Sequence, residues 1–172
     1  LQIDGNKATY TSSYNYGICL YSSSDNTITD NTCNNNNVNG IRLYSSSNNT
    51  ITGNTCNNNN IGICLYLSSD NTVTGNTCNN NNIDGIYLDL SSDNTVTCNT
   101  CNNNNSYGIY LYSSSDNNTI TGNTCNNNSI GICLDLSSDN TVTCNTCNNN
   151  DHGIYLYSSS NNTITDNTCI CG

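Results

Sequence analysis

Thirteen cysteines stand in 172 residues, and seven of them close a recurring Asn-Thr-Cys triplet: Cys33, Cys56, Cys78, Cys101, Cys125, Cys147 and Cys169. Successive members lie 22 to 24 residues apart. If the copies stack at the ~4.8 Å spacing of paired strands, neighbouring cysteines fall inside the Cα window of roughly 4.4–6.8 Å for a disulfide, provided their Cβ atoms lean together. The alternative is a column of buried thiols packing as small hydrophobes. Cys98-Asn-Thr-Cys101 and Cys144-Asn-Thr-Cys147 have the Cys-x-x-Cys spacing of zinc and redox sites. On a strand only one member of each pair faces inward, however, so no metal centre is expected there. The odd total leaves at least one cysteine unpaired within a monomer, and Cys19 and Cys171 are the candidates for links between subunits.

Carboxylates supply the other possible chemistry. Asp70, Asp93, Asp116 and Asp139 recur near one turn position on four consecutive copies, where stacked like charges either raise one another's pKa or gather a weakly bound Ca²⁺. No other cofactor is expected. Asp89 and Asp135 replace Tyr at one outward position two copies apart. Roughly 9.6 Å between backbones is near the ~6.5–9.5 Å separation of inverting glycosidase carboxylates. The basic residues Lys7 and Arg42 and the single His152 stand apart, and no shaped cleft is evident from the sequence, so the residues alone lead to a chain that is not an enzyme.

The elements that position these residues follow from the repeat. Its unit is Gly-Ile-x-Leu-(Tyr/Asp)-(Ser/Leu)-Ser-Ser-(Asp/Asn)-Asn-Thr-(Ile/Val)-Thr-x-Asn-Thr-Cys and an Asn-rich run, with the Gly at Gly17, Gly40, Gly62, Gly85, Gly108, Gly131 and Gly153. Apolar residues alternate with period two, as in Ile18 and Leu20 or Ile28 between Thr27 and Thr29, which is strand periodicity. Strands this short cannot bury a face alone, so the copies must stack in parallel and in register. The expected fold is all-β: a single-stranded right-handed parallel β-helix of about seven coils, with three short faces whose inward residues are Ile and Leu, then Ile or Val, then Cys. One domain spans 1–172, with a degenerate coil over 1–13, regular repeats over 14–169 and a tail over 170–172. Asn at every corner is expected to form amide ladders along the stack.

These residues resemble the β-helix repeats of NosD-type and carbohydrate-binding, sugar-hydrolase proteins, whose units run Gly-Ile-x-Leu, then Ser-Ser-Asn-Asn-Thr-Ile, then Asn-Asn-Thr. The resemblance covers residues 14–169 and implies the fold, across a class that holds lyases, hydrolases, assembly factors and secreted surface proteins. Cys in place of the usual Ile or Val, with abundant Asn and Thr, looks more like the surface and sheath proteins of methanogenic archaea.

Charge and composition narrow the partners. Twelve Asp against two basic residues give a net charge of −10, which excludes a phosphate-binding face and hence nucleic acid. No run approaches the roughly 20 apolar residues of a membrane span. Abundant cysteine and the absence of Met point to a processed extracellular or cell-surface chain. Asn48, Asn104, Asn117, Asn127 and Asn161 open Asn-x-Ser/Thr sequons for N-glycosylation. Neither end carries a helical cap, so the leading expectation is a homopolymer: a filament, hoop or sheath that assembles end to end and side to side. Two alternatives stand beside it, an ice-binding solenoid using the Thr-x-Thr face, and a β-helix that binds or cleaves polysaccharide. Files of outward tyrosines such as Tyr21, Tyr44, Tyr66, Tyr112 and Tyr157 could stack on sugars, but lateral packing on a neighbouring subunit is the expectation.

Overall fold

The computed structural model describes residues 15–170. Within them the Gly-Ile-x-Leu segments form β1 (Ile18–Tyr21), β3 (Asn39–Tyr44), β5 (Ile61–Tyr66), β7 (Asp84–Asp89), β9 (Tyr107–Tyr112), β11 (Ile130–Asp135) and β13 (His152–Tyr157). The Thr-x-Thr triplets form β2 (Thr27–Thr29), β4 (Thr50–Thr52), β6 (Thr72–Thr74), β8 (Thr95–Thr97), β10 (Thr119–Thr121), β12 (Thr141–Thr143) and β14 (Thr163–Thr165). Odd-numbered strands pair only with odd and even only with even, giving two seven-stranded parallel sheets and six coil-to-coil steps, or about six full turns. Register is strict: Ile18 faces Ile41, Ile51 faces Val73, and Leu134 faces Leu156. The third expected face is thinner than a sheet, a ladder of single parallel bridges from Thr32 to Thr168. No helix occurs among the described residues. The calls of a degenerate coil over 1–13 and of a link through Cys171 lie outside the described residues.

The core takes two residues per coil from the first face and one from each of the others. Ile41, Leu43, Ile51 and Cys56 of one coil, and their equivalents through Ile132, Leu134 and Val142, are fully buried. Four apolar side chains per coil are few, and amides complete the interior. Asn54 Nδ2 donates to Asn76 Oδ1 of the next coil at 3.0 Å and to the Ile28 carbonyl at 2.9 Å, while its backbone N donates to the same Oδ1 at 2.9 Å. The pattern repeats through Asn99, Asn123 and Asn145. Parallel columns run through Asn49, Asn71 and Asn94 and through Asn59, Asn81 and Asn104. A neutral amide carries donors and an acceptor together, so a stack of identical side chains satisfies itself, which like charges cannot do.

Turns between faces use left-handed backbone at fixed positions, mostly Asn or Asp: Asp25, Asn48, Asp70, Asp93, Asn117, Asp139 and Asn161 all have positive φ. This column corrects the sequence alignment. The extra residue of the fifth coil is absorbed at Ser113 and Ser114, both left-handed. Asp116 consequently moves into the serine column, where Ser138 N donates to its Oδ1, and Asn117 takes the aspartate position.

Candidate functional site

The outer face of the β1–β13 sheet carries the groups with chemistry. One column, after the inward Ile, runs Cys19, Arg42, Cys64, Tyr87, Tyr110, Cys133, Tyr155. The next, after the inward Leu, runs Tyr21, Tyr44, Tyr66, Asp89, Tyr112, Asp135, Tyr157. Where large residues follow one another the rings pack together: Tyr21 and Tyr44 stack at 4.8 Å, and Tyr87 and Tyr110 lie 5.3 Å apart. Where the small Cys64 stands between Arg42 and Tyr87, the wall drops. A groove of about 310 Å³ opens there, lined by Arg42, Cys64, Tyr66, Tyr87 and Asp89, with Val38, Asn39, Asn60 and Ile61 on its far side.

Local contacts fix these groups. Arg42 Nη1 donates to the Tyr16 hydroxyl at 2.9 Å, and the guanidinium lies 5.3 Å from the Tyr16 ring centroid and 5.8 Å from that of Tyr44. Burial raises the Asp89 carboxyl above its ordinary value, opposed by a hydrogen bond from the Tyr87 hydroxyl. Burial, then the Asp89 charge, pushes Tyr87 up as well. Asp84, one residue before Gly85, is 3% exposed; burial lifts its pKa to about 7 against the pull of the Tyr107 N–H, which donates to Oδ1 at 3.2 Å. Protonation near neutral pH equips a carboxyl for proton transfer. Cys64, buried beneath Arg42 and Tyr87 despite its outward position, is pushed up to about 12 by burial and is held as an inert thiol.

A second cluster lies two coils on. Tyr110 donates to Asp135 Oδ2 at 3.1 Å, while Asp135 Oδ1 is buried without a hydrogen-bond partner among the described residues. Tyr107 packs 4.4 Å from Tyr110, and His152 meets Tyr155 edge-on at 5.4 Å. Asp89 and Asp135 share a column, as expected, with Tyr112 between them. The cleft missing from the sequence reading is therefore present, and Arg42 lines it. Tyr87, Tyr110 and Asp84 had no place in that reading; Tyr110 reaches Asp135 one coil on, while Tyr87 acts on Asp89 of its own strand and Asp84 meets the Tyr107 N–H.

The other expected sites fall out variously. The cysteine column forms inside the third face, with Cys33, Cys56, Cys78, Cys101, Cys125 and Cys147 buried in successive coils. Cys33, Cys56, Cys78, Cys101, Cys125 and Cys147 carry free thiols, so the disulfides expected between coils are not formed. Glycine explains the residue type: a Cβ on Gly108 would stand 2.7 Å from Cys125 Cβ, so the opposite position takes only a slim side chain. Cys169 ends the column exposed, and Cys19 is exposed. Cys98 and Cys144 face solvent while Cys101 and Cys147 face the core, which separates the two Cys-x-x-Cys pairs. The four-aspartate column is broken by the displacement of Asp116, and among the described residues no group of three or more His, Cys, Asp or Glu is placed to hold a metal ion. Asn48, Asn117, Asn127 and Asn161 are exposed, whereas Asn104 is 2% exposed within an amide ladder and is closed to a glycosyltransferase in the folded coil. The outward Thr file is formed, with Thr97 donating to Thr74 at 3.0 Å.

The chain matches the model of the right-handed beta helix region over residues 1–129 and 113–172. It belongs to the right-handed β-helix family. No curated protein sequence matches it. Among solved structures, this β-helix is similar to a mutant of the periplasmic alginate epimerase AlgG, at 27% identity and TM-score 0.76, covering 82% of this chain and 35% of that one. The mannuronan C-5 epimerase AlgE4 A-module of Azotobacter vinelandii superposes with TM-score 0.81 at 18% identity, covering 91% of this chain and 50% of that one. The Dettilon tailspike protein superposes with TM-score 0.80 at 21% identity, covering 93% and 38%. The chain thus spans between about a third and a half of the length of these neighbours. The last two likenesses show the fold. The first overturns the reading of this chain as a non-enzyme, because the match above a quarter identity is to an epimerase. These structures do not show the NosD-type or sheath resemblance of the sequence.

Proposed function

We propose that this β-helix binds and processes polysaccharide along the outer face of the β1–β13 sheet, with the reacting sugar in the groove between Arg42 and Tyr87. The observation that carries it is the meeting, in one groove, of a guanidinium, an Asp89–Tyr87 pair and flanking tyrosine rings, a few residues from a carboxyl that titrates near neutrality. Rings give apolar faces to pyranose C–H groups, the guanidinium steadies developing negative charge, and Asp89 with a raised pKa serves as the proton donor or acceptor. A chain of sugars laid across the coils would run from this groove toward Asp135. The likeness to alginate epimerases and a tailspike supports the reading, and a location outside the cytoplasm accords with the word periplasmic in the epimerase's description.

The test is a panel of polysaccharides assayed for retardation in affinity gels and for new reducing or unsaturated ends. Asp89→Asn is expected to lower any turnover by about 10²–10⁴-fold while binding persists. A protein that retards on no polymer and releases no product would end the proposal.

A further inference from the structure

The proposed site has a sign of charge, and that sign selects among polysaccharides. Every described basic side chain on the outer face reduces to Arg42 and, when protonated, His152, against Asp84, Asp89, Asp135 and Asp151, on a chain whose net charge is −10. Arg42 is also already engaged by the Tyr16 hydroxyl and two rings. A polyuronate brings one carboxylate per sugar. Each like-charge encounter at close range is repulsive, and one guanidinium offsets one such encounter in a stretch that crosses several coils.

An uncharged sugar meets none of this repulsion. Its C–H faces pack on the ring platform, which is continuous from Tyr87 through Tyr110 to Tyr112 at 5.3 and 5.8 Å. Its hydroxyls donate to carboxylate oxygens, charge-assisted bonds about twice as strong as neutral ones. Asp135, whose Oδ2 is held by Tyr110 and whose Oδ1 is buried, offers a uronate carboxylate no donor.

We infer that the polymer taken by this face is a neutral glycan and not a polyuronate. This rests on the polysaccharide reading above. The experiment compares laminarin, dextran and galactomannan with alginate and polygalacturonate by affinity electrophoresis and calorimetry, at about 0.01 M and about 1 M salt, where the screening length falls from ~30 to ~3 Å. At least one neutral polymer is expected to bind at least about tenfold more tightly than either polyuronate, with little change between the two salts. Asp89→Asn combined with Asp135→Asn should raise affinity for alginate. Tighter binding of alginate or polygalacturonate, lost on Arg42→Ala and at high salt, would overturn the inference and leave the polysaccharide reading standing. Binding of neither class would end both.

Discussion

Asp84 shows how a single side chain ties the site to stability. Its ordinary pKa of 3.8 becomes about 7 when the chain folds, because burial of the carboxyl outweighs the opposing hydrogen bond from the Tyr107 N–H. The folded state therefore holds the proton more tightly than the unfolded one. The stability this contributes is complete below the unfolded value and is lost as pH rises through about 7. Asp89, also raised, adds in the same direction. The melting temperature is expected to fall between about pH 5 and pH 8 by several degrees, at roughly 2–4 °C per kcal/mol for a domain of this size. Asp84→Asn should flatten that slope while Asp151→Asn, on an exposed residue, leaves it. Equal slopes in calorimetry for Asp84→Asn and the unaltered chain would contradict the assignment.

At the scale of the strand and turn, two kinds of glycine separate cleanly. The glycines that open the odd-numbered strands are there for close approach: a Cβ on Gly108 would lie 2.5 Å from the Gly131 carbonyl oxygen and 2.7 Å from Cys125 Cβ. Neither neighbour can yield without moving the coil, so Gly108→Ala is expected to destabilise by about 3 kcal/mol or more, seen as an earlier urea midpoint. Gly75 serves its turn instead, with φ of +66° or less and open space around it. Asp30, Cys98, Cys144 and Asp166 occupy the same left-handed position in other coils. Gly75→Asn should change stability by no more than about 0.5 kcal/mol. The strands themselves owe little to propensity and much to register, since each three-residue Thr-x-Thr strand exists only between two copies of itself.

The whole molecule is a one-dimensional stack in which each coil touches only the coils before and after it. Its stability is then close to a sum of coil and interface terms. Removing residues 62–84, one complete repeat of 23, rejoins Ile61 to Gly85 with every column intact. That variant is expected to fold with the same circular dichroism per residue and a urea m-value reduced by about one seventh, in proportion to the surface lost. Removing residues 62–73, half a coil, places Gly-Ile-x-Leu strands against Thr-x-Thr strands and should leave the chain without a cooperative transition. A half-coil variant that melted as sharply as the full-coil one would show that register is not what holds the stack.

The sequence by itself determined the parallel stack, its three faces and the identity of each inward column, because a repeat of 22 to 24 residues with period-two apolar positions has one way to bury Ile, Leu, Val and Cys together. Only the tertiary structure decided what happens on the outside of the sheet. Periodicity fixes which residues point outward and says nothing of how far a neighbour one coil away reaches over them, so the burial of Cys64 and Cys133, the proton affinity of Asp84 and the groove beside Arg42 were not legible. The position of Asp116 escaped for a related reason: an extra residue can be absorbed at any turn of the coil, and backbone strain at Ser113 and Ser114, not composition, settled which. Alternation along one strand is a local property, whereas the relief of a surface built from stacked side chains depends on the size of residues about 23 positions away.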